Sequence, residues 1–99
     1  MVVALHDLRA GYMHLDVLAR RAEARSLVAA GDREGGVAAL RSALEAFDRL
    51  PDVFEAARTR EALAEAVPAE RDALLRAALE AYEELGAAPH AARVRALLV

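Results

Sequence analysis

The chain contains no cysteine, lysine, asparagine, glutamine, isoleucine or tryptophan, and only two tyrosines and two phenylalanines among 99 residues. Each absence excludes something. Without cysteine there is no disulfide and no thiolate-ligated zinc or iron–sulfur site. Without lysine a standard phosphate-binding loop cannot be built, and neither GxGxxG nor GxxxxGK[ST] occurs. Nine valines and one threonine are the whole β-branched complement, too few for a sandwich or barrel. No apolar run approaches the roughly 18 uncharged residues that cross a bilayer. The opening MVVALHDLRAGYMHLD lacks the basic start and long apolar run of a signal peptide, so a cytoplasmic protein with no membrane partner is expected. Thirteen arginines face 16 acids, for a net charge of −3. That balance lacks the basic footprint of a nucleic-acid reader, so no direct nucleic-acid contact is expected.

What is abundant is alanine (26), leucine (15) and arginine (13), all strong helix formers. At 57% apolar residues the chain has enough hydrophobic surface to fold rather than remain disordered. Its length suits a single domain, 1–99.

An internal repeat organises the chain. LRSALEAFDRL (40–50) and LRAALEAYEEL (75–85) agree at seven of eleven positions, 35 residues apart. AARTREAL (56–63) and AARVRALL (91–98) agree at five of eight with the same offset. Leu5, Leu40 and Leu75 form one column; Tyr12, Phe47 and Tyr82 a second; Leu15, Leu50 and Leu85 a third. Within a unit, Leu40, Ala43, Leu44, Phe47 and Leu50 make one apolar helical stripe, and Leu75, Ala78, Leu79, Tyr82 and Leu85 repeat it.

Punctuation places the helix ends. Gly31 and Gly86 suit helix stops, Asp32 an N-cap, and Pro68 and Pro89 a first turn. Asp52 with Glu55 has the capping-box pattern. Six helices are expected, at 2–15, 17–30, 33–50, 53–66, 69–85 and 89–98. They group as a half-repeat 1–16, repeats 17–51 and 52–86, and a half-repeat 87–99. The fold expected is all-α, with antiparallel helix hairpins stacked into a short solenoid.

A helical-hairpin unit of this length resembles the tetratricopeptide repeat (TPR). With Gly31 at the turn, Ala24, Gly36 and Ala43 fall at the family's three small positions and Leu27 at its large one. The sequence departs from the family pattern at Arg20, Glu23, Arg58 and Arg71. The segment LEAYEELGAAPHAARVRALL is also similar to the last repeat of large LuxR-type ATP-binding bacterial transcriptional regulators. There such a repeat commonly precedes a DNA-binding helix–turn–helix.

No constellation for catalysis stands out. Ser26 and Ser42 lack a nucleophile elbow. His6, His14 and His90 are expected at the surface or at helix ends rather than on a metal. Glu55, Glu61, Glu65 and Glu70, with Glu80, Glu83 and Glu84, are expected on solvated, ion-paired faces. Tyr12, Phe47 and Tyr82 are expected to pack between hairpins. No catalytic, cofactor or metal residues are assigned.

Arg25, Arg60 and Arg95 lie 35 apart on the first helix of successive hairpins. The resemblance implies that this helix lines a concave groove, so the three are candidate contacts for a carboxylate or acidic peptide. The function expected is a non-catalytic scaffold binding a protein or acidic peptide, as the interaction segment of a bacterial transcriptional regulator. A small-molecule-sensing helical domain of such a regulator is the alternative. Apolar ends (Met1, Val2 and Val3; Leu97, Leu98 and Val99) lead to an expectation of self-association through terminal helices.

Overall fold

The computed structural model describes residues 17–99. These residues form five α-helices and contain no strand: α1 (17–29), α2 (Arg33–Arg49), α3 (Val53–Ala66), α4 (Arg71–Leu85) and α5 (Ala88–Leu98). A single 3-10 turn, Pro68–Glu70, precedes α4. The expected helix 2–15 and half-repeat 1–16 lie outside the described residues, as do His6, His14 and Tyr12.

Local chemistry sets the helix ends. Gly31 takes φ +98°, a left-handed conformation that stops α1 without a Cβ penalty. The Asp32 carboxylate accepts from the Gly35 N–H at 3.0 Å and caps α2. Asp52 caps α3 in the same way through the Glu55 N–H, also at 3.0 Å. Only half of the expected capping box forms, because the Glu55 side chain turns to Arg21 and the Asp52 N–H donates to the Phe47 carbonyl. Gly86, at φ +71°, ends α4. The expected start of the fifth helix at 69 is corrected: Pro68 opens the 3-10 turn, and regular α-helix begins at Arg71.

Successive helices pack on one another, α2 on α3, α3 on α4 and α4 on α5. Burial follows the 35-residue spacing. Leu40 and Leu75 are buried, as are Ala43 and Ala78, Phe47 and Tyr82, and Ala56 and Ala91. Ala24, Thr59 and Val94 form a further column of fully buried residues. Phe47 packs with Val17, Ala43 and Ala56 between α1, α2 and α3. Tyr82 packs with Ala57, Ala91 and Val94 between α3, α4 and α5.

At Gly36 the backbones of α1 and α2 approach closely. A Cβ there would stand 2.2 Å from Val28 Cγ2 and 2.8 Å from the Ala24 carbonyl oxygen. Only glycine allows the two backbones to meet at this distance.

Candidate functional site: a groove across α1, α3 and α5

Three adjoining cavities follow the first helices of the hairpins. The first, about 320 Å³, is mainly apolar and is lined by Arg25, Val28, Ala29, Leu40, Ala62 and Glu65. The second, about 300 Å³, is polar and is lined by Arg25, Arg58, Glu61, Ala62, Glu65, His90 and Arg93. It shares Arg25, Ala62 and Glu65 with the first. The third, about 270 Å³, shares Glu61, Glu65 and Arg93 with the second and extends to Arg71, Leu75 and Leu97. Together they form one groove: apolar at the α1–α2 end, charged in the middle, mixed at the α5 end.

Two polar networks link its helices. Between α1 and α3, Arg21 is only 8% exposed, at a core position in register with Ala56 and Ala91. Its guanidinium is ion-paired with the Glu55 carboxylate. The same group donates to the Glu55 carbonyl at 3.3 Å and to Thr59 Oγ1 at 3.5 Å. It also lies 5.4 Å from the centre of the Phe47 ring, within cation–π range. Thr59 Oγ1 donates to the Glu55 carbonyl at 2.8 Å. Glu55 Oε2 is enclosed without a well-directed hydrogen bond, so the Arg21 charge is what compensates it. Arg58 stands 3.7 Å from the other Glu55 oxygen.

Between α3 and α5 the network is aromatic. His90 stacks on Tyr82 with centroids 5.0 Å apart and meets the Phe54 ring edge-on at 5.1 Å. The Tyr82 hydroxyl donates to Glu61 at 2.5 Å. Burial first, and then the Glu61 carboxylate, push this phenol well above the ordinary tyrosine range. Arg93 pairs with Glu61 and also donates to His90 Nδ1 at 2.7 Å. Arginine has no acceptor, so Nδ1 must be the accepting nitrogen.

The arginines named from the repeat are divided by this geometry. Arg25 lines both the apolar and the polar cavity. Arg60 pairs with Asp48 of α2 at 3.6 Å, and Arg95 pairs with Glu83 of α4 at 3.3 Å. Asp48 and Glu83 are themselves 35 apart, so one inter-helix ion pair recurs with the repeat. Twelve residues before Arg25 stands Met13, which offers no such partner. The arginines that join Arg25 in the central cavity are Arg58 and Arg93. Arg58 and Arg60 are two residues apart on α3, about 200° around the helix, so they point to opposite sides.

Of the carboxylates expected on solvated, ion-paired faces, Glu65, Glu80, Glu83 and Glu84 are exposed, with Glu83 paired to Arg95, and Glu70 pairs at the surface with Arg41, which holds it below the usual carboxylate range. Glu55 and Glu61 are ion-paired as expected but largely buried rather than solvated. His90, expected at a helix end, is there but half-buried between two rings. Among the described residues, no three His, Asp or Glu side chains are grouped to hold a metal ion. No helix among them is long and apolar enough to cross a membrane. Comparison with family models, curated proteins and solved structures finds no match to this chain.

Proposed function

We propose that this chain is a non-catalytic scaffold that holds an extended segment of another protein along the face formed by α1, α3 and α5, in a stacked-hairpin architecture of the TPR kind. The observation that carries the reading is the continuity of the three cavities through shared residues, Arg25, Ala62 and Glu65 at one junction and Glu61, Glu65 and Arg93 at the next. A groove that alternates apolar and charged surface over three helices suits a chain with varied side chains better than a single compact molecule. Burial at the 35-residue spacing supports the repeat, because each hairpin offers the next the same apolar columns. The similarity of residues 79–98 to the last repeat of LuxR-type regulators supports placing such a scaffold in a transcriptional regulator.

Selection from a random peptide display library tests this directly. Enriched peptides should lose binding when Arg58 and Arg93 are both changed to Glu and keep it when Arg41, on the opposite layer, is changed to Glu. A library that yields no binder, or binders indifferent to the groove variant, contradicts the proposal.

A further inference from the structure

We infer that the bound segment carries an aliphatic side chain close to a carboxylate, the aliphatic group filling the pocket between α1, α2 and α3 and the carboxylate meeting Arg25 and Arg58. This rests on the groove reading above and specifies its ligand.

The pocket has an aliphatic lining, with Leu40 and Ala62 as its floor and Val28 and Ala29 at its sides. Its volume of about 320 Å³ lies within the range of cavities that enclose small organic groups. Its only charged borders are Arg25 and Glu65, which the neighbouring polar cavity shares. Neither forms an ion pair with another described residue.

The charge balance next door decides the sign. Glu61 and Arg93 neutralise one another. Glu55, the nearest acid to Arg58, is already held by Arg21 and stands 3.7 Å from Arg58. Arg25 and Arg58 therefore face one uncompensated acid, Glu65, and the excess is cationic. A carboxylate entering here gains two guanidinium partners. A cationic side chain meets two like charges for one opposite. Glu65, at the shared rim, repels a carboxylate placed over it and so directs that group toward Arg58.

The test uses the full chain and fluorescence anisotropy with labelled Gly/Ser peptides, each carrying one Leu and one Glu, adjacent or up to three residues apart. At one spacing, the Leu–Glu peptide should bind about tenfold more tightly than its Leu→Ala or Glu→Lys counterpart, and added salt should weaken it. Arg25→Glu should reverse the preference in favour of the Lys peptide. Ala29→Phe, at the exposed rim, should close the pocket and abolish the Leu dependence. Both positions are exposed, so each variant should keep the wild-type melting temperature. Equal affinity for Leu and Ala peptides, or for Glu and Lys peptides, overturns the inference while leaving groove binding intact. Failure of every peptide in the set also overturns it, and groove binding itself then stands or falls on the display selection.

Discussion

Glu55 and His90 occupy equivalent places, 35 residues apart and each the third residue of its helix, yet the two joints they belong to are built differently. At the α1–α3 joint, Glu55 meets a buried arginine, and Thr59 beneath it supplies a hydroxyl. At the α3–α5 joint, His90 lies between Tyr82 and Phe54, and Val94 stands where Thr59 does. The buried columns are common to both, because helix spacing fixes the size of what fits. The polar chemistry is not common, because a buried charge is tolerated only opposite its own partner. A joint can therefore be rebuilt in a different chemistry, but both sides must change together.

Changing one side of a joint alone should have the largest effect. Glu55→Ala leaves Arg21 buried and unpaired, and should cost about 3–5 kcal/mol in urea denaturation. Replacing Arg21 and Glu55 together by Leu should recover most of that loss. A single variant as stable as wild type would show that Arg21 does not depend on Glu55.

The two hairpins offer a second contrast, at Gly36 and the equivalent Arg71. Gly36→Leu forces α1 and α2 apart and should cost about 1–3 kcal/mol. Arg71 reaches across the surface to the Leu97 carbonyl at 2.7 Å, and Arg71→Ala should change stability by no more than about 0.5 kcal/mol. Thermal melts of the two variants side by side check the difference.

Tyr82→Phe sharpens the aromatic joint. Loss of the hydrogen bond to Glu61 should cost about 1 kcal/mol at neutral pH. The phenol is held above its ordinary value, near 10, in the folded state. Its contribution is thus complete below about pH 10 and is lost as pH rises from there toward the folded value. Unfolding free energies measured above pH 9 should fall less steeply for Tyr82→Phe than for wild type.

The smallest effects belong to the recurring surface pairs. Arg60→Ala and Arg95→Ala should each cost between zero and about 1 kcal/mol, and high salt should erase the difference. A larger cost that survives salt would mean that these arginines do more than pair with Asp48 and Glu83.

Much of the fold was legible because it rests on apolar columns. Leu40 with Leu75, and Phe47 with Tyr82, mark buried positions through the spacing of the sequence, and the caps at Asp32 and Asp52 follow from local spacing. The charged interior was harder to read. Arg21 stands in register with Ala56 and Ala91, but nothing in its neighbourhood of sequence marks it as buried, because its partner Glu55 lies 34 residues away on another helix. The arginine row shows the same limit. A shared period puts Arg25, Arg60 and Arg95 on matching helical positions, but side-chain direction depends on the nearest opposite charge. The repeated acids Asp48 and Glu83 were the available signal that Arg60 and Arg95 already have partners. His90 is the third case: its stacking on Tyr82 depends on the packing of α5 against α4, which helical periodicity alone does not specify.

Amide chemical shifts of the isotope-labelled chain, titrated with a peptide from the display selection, report where on the surface the peptide lies. Binding in the groove should concentrate the shifts on α1, α3 and α5, around Arg25, Arg58, Ala62, Glu65 and Arg93, with the outer faces of α2 and α4 unchanged. Shifts centred instead on exposed α2 and α4 positions such as Arg41, Glu45, Arg76 and Glu80 would contradict it.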